Sequence, residues 1–294
     1  MTGALRFAAC VVLVSAISML GGCSVFGLVN AFVPRGTYVA HADIAYGSQP
    51  RQALDLYVPR SAAPVQGYPV VVFFYGGSWT TGERADYRFV GEALASAGIV
   101  AVLADYRLYP AVSYPDFLRD SAAALAWTVR HTGTFGGDRT RVYVMGHSAG
   151  GYNAAMLALD SRWLNAEGLS PSALKGWIGL AGPYDFLPSG LADVQRVFHH
   201  PDYPPGGQPI EHVTSSVPRT FLGAAIDDTV VSPTRSTQQL ANKLRAAGVD
   251  VTLKLYKGVG HGTLAGSLAY PLRWLAPVRA DVVAFIRADG ASAQ

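Results

Sequence analysis

A serine flanked by glycines lies where a strand-like run meets a helix-like run. The strand-like apolar run ends in Gly-His-Ser-Ala-Gly at residues 146–150, and an alanine-rich run over 152–159 favours a helix. This order is typical of a nucleophile elbow, in which a sharp turn holds a serine hydroxyl exposed. A side chain at Gly146 or Gly150 would crowd the crossing of strand and helix. Ser148 is therefore predicted to be a catalytic nucleophile.

A serine nucleophile needs a neighbouring base, because a neutral hydroxyl attacks a carbonyl carbon poorly until an imidazole takes its proton. The chain has seven histidines. His261 lies in a glycine-rich stretch directly after the last predicted strand, and it follows the serine in the order that enzymes with this elbow show. His147 is predicted to be structural, with its side chain directed away from the nucleophile. The histidines of the 199–212 stretch lack the spacing of metal ligands, so no metal site is predicted.

The base needs a carboxylate that holds its imidazole in one tautomer. Two adjacent aspartates, Asp227 and Asp228, follow a predicted strand between Ser148 and His261. Asp227 is the predicted partner because it is nearest the end of that strand, and Asp228 is expected to cap the loop. Asp185, which follows an earlier strand, is the weaker alternative.

Negative charge that develops on a substrate carbonyl oxygen is stabilised by fixed N–H donors. One donor is predicted at the backbone N–H of Ala149, directly after the nucleophile. Two more are predicted at Gly77 and Ser78, in a Gly-Gly-Ser-Trp stretch that follows an early buried strand. The pocket wall is assigned, with plain core packing as the alternative, to three aromatic residues: Trp79, Tyr184 and Phe186.

These residues resemble those of the α/β-hydrolases, close to the bacterial carboxylesterases that are similar to hormone-sensitive lipase and kynurenine formamidase. The resemblance rests on five stretches in family order, at residues 76–79, 105–108, 146–151, 227–230 and 260–262. It favours Asp227, because many relatives carry an Asp-x-x-Val pattern that Asp227 and Val230 meet. The chain departs from the family at Tyr75, where relatives usually carry histidine. Arg107 is predicted to be structural, with Asp120 on the next helix as its partner.

The resemblance implies a serine carboxylesterase that acts through an acyl-enzyme, with neither a metal nor an organic cofactor. The modest length of the predicted lid favours short-chain esters. An arylformamidase-like amidase would use the same residues. A peptidase is less favoured, because the sequence shows no propeller or other large domain for binding a peptide substrate. A non-catalytic binding protein on a hydrolase fold is opposed by the complete set of serine, histidine and aspartate. The net charge of +3, with no basic block, gives no indication of a nucleic-acid partner.

The elements that must position these residues alternate as strand and helix from residue 69 onward, and they include strands predicted over 69–75 and 251–256 and helices predicted over 84–97, 233–247 and 274–288. The central sheet is therefore predicted to be mostly parallel, with helices on both faces. Extended runs at 38–46 and 52–58 predict an antiparallel pair at its N-terminal edge. The 182–218 segment, rich in Pro, Gly, His and Asp, is predicted to be a short, loop-rich lid on the carboxyl side of the sheet, where ligands bind in such folds. The hydrolase domain is predicted over 38–290.

Residues 1–22 are predicted to be a lipoprotein signal peptide. Their apolar run, at 7–20, is short for a transmembrane helix and suits a signal peptide. Leu-Gly-Gly-Cys at 20–23 resembles the lipobox of bacterial lipoproteins, which implies cleavage before Cys23, lipidation of that cysteine and attachment to the cell envelope. An ordinary secretory signal and an uncleaved anchor are the alternatives. Residues 23–37 are then predicted to be a tether.

The cysteine content agrees with export. Cys10 and Cys23 are the two cysteines of the chain, and Cys10 lies in the segment to be removed. The mature body is therefore predicted to have no disulfide and to depend on its hydrophobic core, which the 50% hydrophobic composition can supply. Ser24, directly after the lipidated cysteine, implies the outer membrane if the cell is Gram-negative.

Overall fold

The computed structural model describes residues 25–288. The predicted signal peptide and Cys23 lie outside the described residues. The strands are β1 (Tyr38–Ala45), β2 (Ala53–Pro59), β3 (Tyr68–Phe74), β4 (Val100–Ala104), β5 (Gly137–His147), β6 (Leu174–Leu180), β7 (Thr220–Ala225) and β8 (Val251–Tyr256). The α-helices are α1 (Val25–Ala31), α2 (Arg88–Ala95), α3 (Asp116–His131), α4 (Ala149–Leu159), α5 (Ser161–Ala166), α6 (Ala192–Val197), α7 (Gln239–Ala246), α8 (His261–Gly266) and α9 (Val278–Arg287).

The eight strands form one sheet in the order β1-β2-β4-β3-β5-β6-β7-β8. The pairs β1/β2 and β2/β4 are antiparallel, and every other pair is parallel. The continuous apolar runs occupy the centre, where β3 is buried at every position, as expected for parallel strands covered on both faces. The predicted α/β-hydrolase fold, with its mostly parallel sheet and antiparallel N-terminal edge, is confirmed.

Three predicted helices begin differently in the structure. The helix predicted from Arg84 starts with a 3₁₀ turn over Arg84–Tyr87 before α2, and the one predicted from Pro233 starts with a π-helix over Pro233–Gln238 before α7. The closing helix, predicted from Trp274, begins only at Val278. Pro277 accounts for this difference, because a proline disfavours helical backbone at the residue before it.

The 182–218 segment is packed against the domain. It contains α6 and a 3₁₀ turn over Pro209–His212. Phe198 is fully buried, and its ring meets that of Trp79 at a centroid distance of 4.9 Å. Tyr152 of α4 donates a hydrogen bond of 2.7 Å to the carbonyl of Gly207. The segment therefore forms a fixed cover beside the carboxyl end of the sheet.

The described part of the predicted tether is a packed segment instead. Asn30, in α1, donates hydrogen bonds to the carbonyls of Ala85 (2.9 Å) and Asp86 (2.8 Å), and its side-chain oxygen accepts one from the N–H of Phe89. Val33 is buried in the core. Asparagine suits this place because its amide satisfies orphan groups around the start of α2. None of the helices between residues 25 and 288 combines the length and the apolar composition that crossing a bilayer requires.

Arg107 and Asp120 form the predicted structural pair. The guanidinium of Arg107 donates to both carboxylate oxygens of Asp120 at 2.8 Å, and its backbone N–H adds a third bond at 2.9 Å. Gln52 donates to the same carboxylate at 2.8 Å. Asp120 is almost fully buried, so these donors replace the water that its charge would otherwise require.

Candidate active site

Ser148 lies on the turn between β5 and α4, as the elbow pattern predicts. Its φ of 55° is in the left-handed region, which non-glycine residues adopt mainly where surrounding structure enforces it. A Cβ on Gly146 would lie 2.0 Å from the carbonyl oxygen of Gly150, and one on Gly150 would lie 2.0 Å from that of Phe74. The two glycines are thus required by the close crossing, and the hydroxyl of Ser148 reaches the cavity described below.

A line of hydrogen bonds joins Ser148, His261 and an aspartate. His261 opens α8, and its Nε2 is 2.8 Å from the Oγ of Ser148. Its Nδ1 is 2.7 Å from an oxygen of Asp228. An ionised carboxylate can only accept, so Nδ1 carries the proton and donates it, which leaves Nε2 as the acceptor for the serine hydroxyl. This tautomer is the one that can remove a proton from serine.

The carboxylate on this line is Asp228, and the prediction of Asp227 was wrong. Strand β7 ends at Ala225, and the chain then turns so that Asp227 is exposed while Asp228 is buried beside His261. The second oxygen of Asp228 accepts the N–H groups of Val230 (2.8 Å) and Val231 (3.0 Å). The Asp-x-x-Val pattern also fits one residue later, at Asp228 and Val231. This later match was the available signal, and distance from the strand end was a poor guide.

The surroundings of Asp228 keep it ionised. Burial acts to raise the pKa of its carboxyl, but the hydrogen bonds from His261, Val231 and Val230 outweigh burial and lower the pKa below its usual range. The alternative acid, Asp185, is paired with Arg235 at 3.2 Å rather than with a histidine.

Two of the three predicted oxyanion residues share a cavity with the serine, and Gly77 is not among the residues that line it. Ser78 and Ala149 line the same cavity as Ser148. Gly77 has a φ of 122°, and a Cβ there would lie 2.2 Å from the carbonyl oxygen of Thr81, so only glycine fits this turn. Within residues 25–288 no hydrogen bond involves the backbone N–H of Gly77, Ser78 or Ala149. The loop and the first turn of α4 therefore both have backbone donors that remain available beside the serine.

Tyr75, the residue at which the sequence departs from the family pattern, is held firmly in place. Its hydroxyl is 2.6 Å from a guanidinium nitrogen of Arg51, which donates to it, and the hydroxyl of Tyr106 donates to the carbonyl of Tyr75 at 2.7 Å. Its ring is stacked between those of Tyr87 and Tyr106, at centroid distances of 5.6 and 4.8 Å. These contacts fix the start of the glycine loop without histidine.

The cavity above Ser148 has a volume of about 270 Å³. Trp79 and Phe186 line it, as predicted, and their rings are stacked at a centroid distance of 6.1 Å. Tyr184 does not line it. The side chain of Tyr184 is fully buried and packs edge-on against Trp177, so its assignment to the pocket wall was wrong and core packing is its role.

The walls of the cavity are more apolar than polar, and the 182–218 segment supplies the largest share of them. Leu191 and Val230 line the cavity and remain exposed to solvent, so they form an apolar rim. Arg235 adds a charged group, and its guanidinium is engaged by Asp185 and by the carbonyl of Leu187, each at 3.2 Å. The cavity thus presents an apolar surface with a few polar groups, which suits a small organic acyl group.

His147 is buried and structural, as predicted, but it contacts His261 directly. Its Nε2–H donates to the backbone carbonyl of His261 at 2.9 Å, and the two rings pack at a centroid distance of 4.9 Å. Burial first, and then the nearby His261, lower the pKa of His147 from 6.5 to about 3. A neutral ring beside His261 allows the latter to become positively charged without repulsion.

The remaining histidines lie apart from this line. His199 contacts the carbonyl of Tyr114, and His212 contacts that of Gly206. In the described part of the chain, no three His, Cys, Asp or Glu side chains are grouped as metal ligands would be.

The comparisons with known proteins agree with this geometry. Residues 54–244, which are more than half of the chain, match the BD-FAE family. The chain is 31% identical over 225 residues to the carboxylesterase NlhH of Mycobacterium tuberculosis, and the alignment covers 69% of each protein. The fold is similar to that of esterase B from Lactobacillus rhamnosis, with a TM-score of 0.76 and 19% identity, covering 99% of this chain and 97% of that one.

Plant methylesterases are also similar to this chain. It is 37% identical over 146 residues to the isoprenylcysteine alpha-carbonyl methylesterase ICME of Arabidopsis thaliana, which covers 48% of this chain and 34% of that protein. A second relative from the same plant, ICMEL1, is 28% identical over 272 residues, which are 83% of this chain, and the chain spans 56% of the length of ICMEL1. With the family match extending from β2 into α7 and including Ser148 and Asp228, the chain belongs to the BD-FAE family and has the α/β-hydrolase fold of its esterase relatives.

Proposed function

We propose that the protein is a serine carboxylesterase that hydrolyses short-chain carboxylic esters. The hydrogen-bonded line from Ser148 through His261 to Asp228, with distances of 2.8 and 2.7 Å, is the observation that carries the proposal. These are the distances at which a general base takes a proton from a nucleophile and a carboxylate orients that base. Membership of a family with carboxylesterase relatives supports the same reaction.

The reaction proceeds in two steps. The Oγ of Ser148 attacks the ester carbonyl while Nε2 of His261 takes the hydroxyl proton. The resulting oxyanion is stabilised by N–H groups of Gly77, Ser78 and Ala149. His261 then protonates the leaving alcohol, and an acyl-enzyme remains. Water, activated by the same histidine, releases the carboxylic acid and restores the serine.

Asp228 serves the reaction without exchanging a proton. Its lowered pKa keeps it charged, so it stabilises the imidazolium of His261 as that group forms. The buried and neutral His147 adds no opposing charge beside the imidazolium. The buried carboxylate of Asp228 therefore favours the imidazolium that the attack creates.

The size of the cavity supports a short acyl chain. Its volume of about 270 Å³ is near the lower end of ligand pockets. The wall made by Pro188, Leu191 and Val194 belongs to the packed 182–218 segment, so lengthening the cavity would require that segment to move.

The proposed location is the cell envelope, through a lipid on Cys23. The lipobox-like stretch and the apolar run before it support this proposal. A protein that is exported and anchored in this way would act on esters outside the cytoplasm. Lipidation and the ester reaction are independent proposals, because they rest on different parts of the chain.

Labelling with a fluorophosphonate probe tests the nucleophile. The wild-type protein is expected to react covalently at Ser148, and the Ser148→Ala variant is expected to remain unlabelled. A wild-type protein that fails to react would overturn the proposal, since a base within 2.8 Å of the serine should activate it.

A panel of nitrophenyl esters from acetate to palmitate then defines the substrate. We expect kcat/KM to be highest for the shortest acyl chains, and a maximum at palmitate would refute the short-chain proposal. A formamide tests the amidase alternative. An isoprenylcysteine methyl ester belongs in the same panel, because relatives named for that substrate are 28–37% identical to this chain.

A further inference from the structure

The oxyanion loop contains a strained tryptophan. Ser78 and Trp79 both have positive φ angles, 52° and 59°. Backbone of this kind in residues other than glycine persists only where the surrounding structure holds it. Ser78 is one of the residues whose N–H is assigned to the oxyanion, so whatever holds Trp79 also sets the position of that donor.

Trp79 is held by a buried hydrogen bond to the helix that follows the nucleophile. Its side chain is 1% exposed, and its Nε1–H donates to the Oδ1 of Asn153 at 3.0 Å. Its carbonyl accepts the N–H of Tyr109 at 2.8 Å. A tryptophan N–H has one hydrogen to donate and no way to accept, so Asn153 supplies the acceptor that this buried group needs.

Asn153 is itself fixed by a second buried hydrogen bond. Its side-chain amide donates to the hydroxyl of Ser121 at 3.2 Å, and that hydroxyl donates to the carbonyl of Phe117 at 2.8 Å. Both Asn153 and Ser121 are fully buried. The chain of bonds therefore links the loop of Trp79 to α4 and then to α3, with the amide of Asn153 held in one orientation.

Asn153 lies one helical turn after Ala149 on α4. Side chains of a helix lean towards its N-terminus, so the amide of Asn153 reaches back in the direction of Ala149. The same helix thus presents the N–H of Ala149 to the oxyanion and an acceptor to Trp79. The proposed donors of the oxyanion hole come from two separate segments, and the Trp79–Asn153 bond joins these segments directly.

We propose that Asn153 is a positioning residue that sets the separation of the two sides of the oxyanion hole through its hydrogen bond to Trp79. This inference rests on the proposed hydrolase function. Asn153 is not among the residues that line the cavity. Its loss should therefore weaken the stabilisation of the transition state, in which the oxyanion exists, and leave substrate binding almost unchanged.

The test replaces Asn153 with leucine, which has a similar size but no acceptor. We expect kcat on nitrophenyl acetate to fall roughly 10- to 100-fold with KM unchanged, because a displaced donor loses part of its transition-state stabilisation. Inhibition by a trifluoromethyl ketone, which forms a tetrahedral adduct with serine, should weaken by the same factor. Asn153→Asp should restore most of kcat, because either protonation state of aspartic acid leaves an oxygen that accepts from Trp79.

Thr128→Val is the matched control. Its hydroxyl is fully buried on α3 and donates to the carbonyl of Ala124 at 2.9 Å, so the substitution removes a comparable buried bond away from the site. It should lower the melting temperature and leave kcat unchanged. Trp79→Phe provides a second route if Asn153→Leu does not fold, because it removes the N–H and keeps a ring. Adding Asn153→Ala to Trp79→Phe should then lower kcat no further.

The rate of fluorophosphonate labelling separates this inference from the proposed function. It depends on the oxyanion hole and needs no ester substrate. A wild-type protein that labels but hydrolyses none of the esters would refute the esterase proposal, and slower labelling of Asn153→Leu would still support the role of Asn153. Folded Asn153→Leu protein with wild-type kcat and labelling rate would overturn the inference.

Discussion

Asp228 accepts a hydrogen bond from His261, the proposed base, and its neighbour Asp227 provides a natural control. Asp228→Asn should lower kcat on nitrophenyl acetate by about 10⁴-fold, because an amide at this position can donate to Nδ1 and thereby stabilise the wrong tautomer of His261. Asp227→Asn should leave kcat near the wild-type value, since Asp227 is exposed and the carboxylate that accepts from His261 is that of Asp228. Steady-state kinetics of the two purified variants make the comparison, and equal losses would contradict the assignment.

His147 makes the stability of the fold depend on pH. Its pKa of about 3 in the folded protein rises to about 6.5 on unfolding. Between these values the unfolded chain binds a proton that the folded chain does not, so stability is greatest above pH 6.5 and decreases as the pH falls towards 3. His147→Gln removes this titration. As the pH is lowered, the unfolding free energy of the variant should therefore fall less steeply than that of the wild type. The two slopes should differ by up to about 1.4 kcal/mol per pH unit.

Urea unfolding at a series of pH values measures both effects of this substitution. The difference between variant and parent at pH 8 gives the cost of the lost contact with His261, and the change of that difference at lower pH gives the titration. Parallel curves for the two proteins would show that the buried imidazole does not control the slope.

The chemistry of the site was more predictable from the sequence than its geometry. Ser148 and His261 were predictable because each lies just after a strand and beside glycines. At Ser148 the reason for the glycines is local, since the crossing of strand and helix at Gly146 admits no side chain. The choice between Asp227 and Asp228 depends on which way the chain turns after β7, and a difference of one residue there exchanges buried and exposed positions. Asn153 carried no signal, because its partner Trp79 is 74 residues away.

At the scale of elements, the loop from Tyr75 to Trp79 is the part that most needs external support. Tyr75→Phe keeps the stacked ring and removes the hydroxyl that meets Arg51. A bond to a charged group contributes about 1.5–3 kcal/mol, so the unfolding free energy should fall by about that amount. We expect kcat to stay near the wild-type value, because the backbone donors of the loop are unaffected. Chemical denaturation and steady-state kinetics supply the two measurements.

Tyr270→Phe is the control for this prediction, because Tyr270 is an exposed tyrosine. Its loss of a hydroxyl should leave stability unchanged. A Tyr75→Phe protein as stable as wild type would mean that the stacked rings alone hold the loop.

The strands were predicted more closely than the helix starts. The buried strand β3 has a continuous apolar run and the partly exposed strand β8 an alternating one, and the ends of both coincide with turns, whereas helix starts depend on one or two local residues. Pro277 delays the start of α9. The 3₁₀ turn before α2 and the π-helix before α7 have hydrogen bonds that span three and five residues, whereas those of an α-helix span four. Periodicity over a long window does not resolve such local changes.

At the scale of the whole molecule, the proposed lipid anchor can be tested separately from the reaction. Cys23→Ser should move the protein from the membrane fraction to the soluble fraction of cells, because it removes the residue that would carry the lipid. The soluble variant should keep its esterase kcat, since the residues of the proposed site lie between residues 77 and 261. Unchanged partitioning of Cys23→Ser would contradict lipidation.

The hydrogen bonds of Asn30 fix how far such an enzyme could stand from its membrane. A free tether reaching Thr37 would let the domain move up to about 50 Å from the lipid, at the length of fully extended chain. Because α1 begins at Val25, and Asn30 within it is attached to the residues around the start of α2, the span from Cys23 to Asn30 shortens to about 15 Å, the sum of two extended and five helical residues. The catalytic cleft would then search a thin layer next to the bilayer, where esters released from or embedded in the envelope reach their highest local concentration.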